Sequence, residues 1–387
     1  MKRLVGGLVL GALLGAGLRA GGAGGLSLAE YLASHAAALP AGGLPAELPA
    51  GFLAASGPRL YLLGEVHGAA TNNDADLTLL KTLQRTAGVR TYLCEVSYAH
   101  SWYLNRFLEK GDESLLDLIF TQMRGRTVDG SREKRAFWEN MRRWNQALPA
   151  AERVTIAGVD LERFPGISLA FLRQELGPLG ESGAVEKVAR EVAASRPRFL
   201  AALGPDRLFG VEEALRNLRD RTRAGSFQGP AFDEFRDRAI FGNFLAISGR
   251  LTPGSIYGRV GFAHVTQHAY DGGHWLSYYL NRRPSPWAGR VVGIWPLYAH
   301  SRRLALLNGH YQIADCEDEL GPTGPFVAAA PTDLTLFQLV GPGSPFSRRL
   351  VVPARAEGGV TTEYFQYVLL LKNTPPAQPW IPVPPKR

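Results

Sequence analysis

Cysteine is almost missing from this chain: Cys94 and Cys316 are the only two among 387 residues. That excludes a disulfide scaffold and a cysteine cage for zinc, and leaves either one disulfide or two buried thiols. No Gly-x-Ser-x-Gly motif and no cysteine nucleophile signature occur, which weighs against serine or cysteine hydrolysis. Glycine-rich phosphate loops are lacking as well. Nor is there a Lys/Arg run interleaved with aromatics, so the formal charge of +8 does not describe a nucleic-acid groove. Lys2, Arg3 and Arg19 lie in an opening stretch without an acidic residue, and removing these three from 43 basic residues leaves 40 against 35 acidic ones. A mild basic excess of that kind reads as solvated surface.

The opening stretch also lacks a run of the ~20 apolar residues that a spanning helix needs. Met1-Lys-Arg is followed by an apolar Leu4 to Leu18 and then by small residues to Gly25. This is the pattern of a secretory signal over residues 1–25, so export to a periplasmic or extracellular space is expected, with membrane attachment only if the leader is uncleaved. No cysteine near its end offers a lipid anchor.

What the chain does have is apolar residues, 45% of the total, enough for a sizeable core. Residues 26–39 read as a short helix and 40–58 as a Pro/Gly-rich lead-in. From 59 to 374 strand and helix patterns alternate, which predicts an α/β fold with a mostly parallel central sheet flanked by helices. Leu60 to Leu63 is the first strand, Val89 to Cys94 the second, Arg153 to Val159 the third, Ser255 to Phe262 the fourth and Val291 to Trp295 the fifth. Between the first two, Asn72 and Asn73 read as caps of a helix that ends at Gly88. Residues 101–148 and a charged section at about 175–250 are helical, the latter a helical insertion. Asp333 to Val340 and Tyr364 to Leu371 read as late strands, and a proline-rich tail covers 375–387.

Four of these strands end in ionisable residues: Glu65 and His67, Glu95, Asp160 with Glu162, and His264. The carboxyl ends of parallel strands lie on one side of a sheet, where ligands bind in such folds. An acidic residue after one strand is ordinarily a helix cap, but four endings together point to a site. Two chemistries suit the set. Either His67 is a general base for water, steadied by a carboxylate while His264 stabilises negative charge, or Glu65, His67, Glu95 and His264 bind a divalent metal that activates water.

Gly64-Glu-Val-His-Gly68, Glu95, Phe235-Arg-Asp-Arg-Ala-Ile-Phe-Gly-Asn243 and Gly261-Phe-Ala-His264, taken in order, resemble the motifs of the erythromycin-esterase/ChaN-like superfamily, to which TIKI and TraB proteins are distantly related. The stretches Tyr103 to Asp112, Trp144 to Pro149 and Gly158 to Asp160 resemble its connecting pieces, so the likeness runs from about Leu60 to Trp295. It implies a hydrolase acting on a small-molecule ester or amide, with His67 as the water-activating histidine, Glu65 and Glu95 as acidic site residues and His264 as the second histidine. Arg236 matches a family arginine facing the cleft, and Asp160 and Asn72 join it as candidate substrate-binding residues. An ion pair of Arg236 with Asp237 or Glu234 is the plainer alternative. Two departures are visible: only Val66 separates Glu from His where the esterases carry two residues, and Ile240 stands where Met is common. The single spacer is more like ChaN, whose members are linked to haem, and Tyr98, Tyr103 or Tyr270 would be axial-ligand candidates in that alternative.

Overall fold

The computed structural model describes residues 26–53, 57–177, 179, 184–225, 229–316 and 320–380. The expected leader and the last residues of the tail, 381–387, lie outside them. Ten strands are present among the described residues: β1 Ala36–Ala38, β2 Leu60–Glu65, β3 Thr91–Cys94, β4 Thr155–Gly158, β5 Ile256–Gly261, β6 Val291–Ala299, β7 Arg302–Leu307, β8 His310–Asp315, β9 Leu334–Gln338 and β10 Tyr367–Lys372. Eight form one sheet in the order β1-β9-β10-β6-β2-β5-β3-β4, and β7 pairs with β8 in a separate hairpin. From β10 to β4 every pairing is parallel, while β9 and β1 are antiparallel edge additions. The α/β sheet expected from the alternating pattern is therefore present.

Its middle strands are apolar on both faces because helices cover both. Every residue of β2 is buried, as a parallel strand between helical layers must be. Tyr61, Tyr92, Tyr257 and Trp295 are among the largest fully buried side chains. Deep burial of tyrosine needs partners for the hydroxyls. Tyr92 donates to Asp76 Oδ2 at 2.6 Å and Tyr257 to Oδ1 at 2.9 Å, while Tyr61 donates to the Leu53 carbonyl at 2.8 Å.

Several boundaries differ from the sequence reading. The helix expected over residues 26–39 stops at Ser34, and Ala36–Ala38 pairs with β9. A run of alanines carries no pattern, so the neighbouring edge decided its state. Strand β6 continues past Trp295 through Pro296, which lies beyond the last β6 residue paired with β2, Ile294. The β7–β8 hairpin has no counterpart in the sequence reading because its residues are largely exposed and lack a clean alternation. Residues 101–148 are three helices, Tyr98–Lys110, Glu113–Met123 and Arg132–Ala147. The charged section holds Val185–Ala194, Arg196–Ala224, interrupted by a non-helical Gly204, and Pro230–Ser248. Cys94 and Cys316 are both buried, and no disulfide joins them. Tail residues Pro376 and Pro379 bridge Ala69 and Ser131, which lays the chain across the site's own loops.

Candidate active site

The order β2-β5-β3-β4 puts the four ionisable strand ends next to one another, although they are far apart in the chain. Glu65 is the last residue of β2, and its cross-strand partner in β5 is Gly261. His264 follows β5 on a short 3-10 turn, Phe262–Val265. Glu95 comes directly after β3 and Asp160 two residues after β4. Glu65, His264 and Asp160 are buried.

Two neighbouring clusters result. In the first, His67 Nδ1 lies 3.1 Å from Glu65 Oε1 and 3.9 Å from Asp129 Oδ1. Glu65 is held from behind by Arg259 Nε at 3.3 Å and by Asn72 Nδ2 at 2.9 Å. Asn72 also donates to the Val66 carbonyl at 2.8 Å and accepts from Tyr298 at 2.7 Å, so its amide fixes the turn instead of capping the helix. The N-cap position of that helix, Asn72–Ala87, is Thr71. At Gly68, φ is +87° and the Leu304 carbonyl oxygen would lie 2.0 Å from any added Cβ. Only glycine allows the hairpin backbone to pack there.

In the second cluster Arg236 is the hub. It forms an ion pair with Glu95 Oε1, another with Asp160 Oδ2 at 2.7 Å, and approaches His264 Nε2 at 3.1 Å. The plainer alternative, pairing with Asp237 or Glu234, does not occur: Asp237 accepts from His264 Nδ1 at 2.7 Å and Glu234 pairs with Arg238. A guanidinium can only donate, so its approach to Nε2 selects the His264 tautomer with the proton on Nδ1. His264 thereby positions Arg236, and Arg236 is satisfied by protein carboxylates. Asn243, on the same helix Pro230–Ser248, donates to the Val159 carbonyl at 2.9 Å and ties that helix to the end of β4.

The clusters meet over Gly261, whose N–H donates to Glu95 Oε2 at 2.7 Å. A Cβ at Gly261 would face His67 Nε2 at 3.4 Å, His264 Cδ2 at 3.5 Å and Glu95 Oε2 at 3.7 Å. His67 thus turns Nε2 toward the second cluster while Nδ1 faces Glu65. A cavity lined by Glu65, His67, Glu95, Asp129 and Lys134, among others, lies in front, with about 40 Å³ open to water-sized molecules.

Electrostatics divide the groups. Burial would raise the Glu65 carboxyl, but Arg259 and His67 overcome it and hold it below the ordinary carboxylate range. Burial likewise opposes ionisation of Glu95, and Arg236, His264 and His67 pull it well below that range. Burial would lower His67, yet Asp129, Glu65 and Glu95 raise it to about 9. For His264, burial is outweighed by Asp237 and Glu95, which favour the imidazolium, whereas Arg236 opposes it.

The four expected metal ligands do not form one donor set. Glu65 and His67 group with Asp129, their donor atoms within 4.8 Å of one another, while Glu95 and His264 group around Arg236. Two carboxylates and an imidazole fit a divalent transition ion, and at Glu65, His67 and Asp129 such an ion would supply Lewis-acid polarisation of water. None of Tyr98, Tyr103 and Tyr270 lines the cavity. Tyr98 packs on Phe171 and Phe209, Tyr103 on Trp102, and Tyr270 on Phe262 and Trp295. This cavity has no room for a haem macrocycle, and Tyr98 borders a separate cavity of about 580 Å³ with Trp102, Arg106 and Phe209.

Arg259, Asp129 and the positioning role of Asp237 escaped sequence reasoning. Arg259 left a usable signal, a cation in the middle of the buried strand β5. Asp129 left none, since it sits in a loop that only the tertiary fold brings to His67.

No family model matches the chain, and no curated protein sequence matches it. Solved structures do. One from Bacillus cereus superposes with TM-score 0.65 at 15% identity, covering 91% of this chain and 98% of that one. A succinoglycan biosynthesis protein gives TM-score 0.65 at 14% identity with the same coverage. A variant of the erythromycin esterase EreC in its open conformation gives 0.58 at 14% identity, covering 85% of this chain and 93% of that chain. The fold is erythromycin-esterase-like. The expectation drawn from the ordered motifs is met at the level of the fold, over more of the chain than the motifs span.

Proposed function

We propose that this chain is an exported hydrolase of ester or amide bonds in which His67 activates water. One observation carries the reading: Glu65 holds His67 Nδ1, and the free Nε2 faces the cavity beside Glu95. With Nδ1–H donating a hydrogen bond to Glu65, neutral His67 accepts a proton from water at Nε2 as the water oxygen attacks the substrate carbonyl. The imidazolium so formed is stabilised by Glu65 and Asp129 and returns its proton to the departing alkoxide or amine. Glu95, kept ionised by Arg236, adds to the field that holds this cation. The resting ring is itself protonated at neutral pH, because its pKa is about 9. Catalysis therefore draws on a small neutral fraction that is a correspondingly strong base.

The test is a panel of small esters and amides with purified wild-type protein and His67→Asn, with and without added divalent metals and chelator. Turnover by the wild type that drops ~10²–10⁴-fold in the variant supports the reading. A folded wild-type protein with no turnover on any member, with or without metal, overturns it. Export is checked separately by cell fractionation and by the N-terminal residue of the mature chain, expected near position 25.

A further inference from the structure

One wall of the cavity is not used by the water-activating groups. His100, on the helix Tyr98–Lys110, is 3% exposed and lines the cavity. Its backbone N–H is bonded to Ser97 Oγ, but its ring has no hydrogen-bond partner among the described residues. Burial, followed by the nearby charge of Lys134, lowers its pKa to about 3, so the ring is a neutral donor and acceptor. Lys134 lines the same cavity from the helix Arg132–Ala147. Its ammonium lies 5.2 Å from the centres of the Phe137 and Trp138 rings. Among the described residues no carboxylate is within ion-pair distance of it, in contrast to Arg236 and Arg259. Arg163, exposed at the cavity, has no ion pair among the described residues either.

The His100 ring opens onto the cavity without a protein hydrogen-bond partner, and the half-buried Lys134 ammonium on the same cavity has no counterion among the described residues, so both are open to a ligand group there. The carboxylates of the site have their own cations: Glu65 has His67 and Arg259, Glu95 has Arg236, and Asp129 faces His67. Lys134 is left for a guest. An oxyanion supplies acceptors for the ammonium and for an imidazole N–H, and its small size suits the limited space.

We propose that Lys134 and His100 form an anion subsite, with Arg163 guiding entry, and that the substrate is a small ester or amide carrying a carboxylate or phosphate. The subsite places the charged group of the substrate against Lys134 while the scissile carbonyl faces His67. This rests on the hydrolase reading, and the experiment separates the two.

Acetate release from acetoxyacetate and from 2-acetoxyethyl phosphate is compared with release from the neutral methyl acetoxyacetate, using wild-type protein, Lys134→Met and Lys134→Arg. Binding of glycolate and of inorganic phosphate to wild type, His67→Asn and Lys134→Met is measured by calorimetry. At least one anionic ester is expected to exceed the neutral one tenfold or more in kcat/KM, and which one identifies the group. Lys134→Met should bring that ratio toward one, and Lys134→Arg should keep most of it. Anion binding should survive in His67→Asn and weaken at least tenfold in Lys134→Met. Binding that depends on Lys134 without any turnover keeps the subsite and removes the hydrolase. Turnover that ignores substrate charge, or anion binding indifferent to Lys134→Met, overturns the subsite.

Discussion

At the scale of single residues, the site is governed by which charges have partners. His67 is a cation among carboxylates, and the role proposed for it as base requires loss of that proton. The log of kcat/KM for a substrate without its own titration is therefore expected to rise with pH and level off above about 9, the pKa of the ring. A profile that instead falls across pH 7 to 9 would assign the protonated ring as the working form. Glu162 gives a second pH-dependent property. It is fully buried, accepting from Ser97 Oγ at 2.8 Å, from the Phe164 N–H at 2.6 Å and from Ser168 Oγ, yet burial outweighs these bonds and pushes it up to about 7. A carboxyl whose folded pKa is raised stabilises the fold below its unfolded value, near 4.5, and that contribution is lost as pH rises through 7. Glu162→Gln should accordingly leave the melting temperature at pH 5 nearly unchanged and raise it at pH 8, as calorimetry at the two pH values would show.

At the scale of elements, strand β5 and the helix Pro230–Ser248 do the assembling. β5 inserts between β2 and β3, so Arg259 reaches both Glu65 and Asp76 at 3.3 Å and donates to Asn73 at 3.1 Å. Removing one partner from a buried ion-pair network costs ~3–5 kcal/mol because the remaining charges stay buried. Arg259→Met should lose about that much in urea unfolding, and a loss below 1 kcal/mol would mean that the network is looser than its geometry. The helix carries Arg236, Asp237 and Asn243 on its sheet-facing side, and Asn243 clamps it to the carbonyl of Val159. Asn243→Ala should cost about 1–3 kcal/mol, the range for a buried hydrogen bond left half made.

At the scale of the whole molecule, the strand endings were the legible part of the sequence. Glu65, Glu95, Asp160 and His264 all stand at the carboxyl end of the parallel sheet because a period of two and a glycine-marked stop are local properties that survive folding. The strand order is not local, and nothing in the sequence says that β5 lies between β2 and β3. For that reason the partners of Arg259 could not be named, Asp129 was invisible as a site residue, and one metal set was offered as an alternative where two clusters exist. Arg236 was singled out from its motif, but its partners, Glu95 and Asp160, follow two other strands. The pairing state of the cysteines was likewise undecidable from two positions in a chain. Since no disulfide joins Cys94 and Cys316, reductant should leave the melting temperature unmoved, and a drop on reduction would contradict the fold at that point.

The central claim is that His67, held by Glu65 and facing Glu95, activates water. Its most direct test is the release of acetate from acetoxyacetate, 2-acetoxyethyl phosphate and methyl acetoxyacetate by wild-type protein and His67→Asn, each supplied with the divalent ion that serves the wild type best. The account predicts turnover by the wild type and a loss of ~10²–10⁴-fold in a variant that still melts cooperatively. Equal rates from the two proteins would contradict it.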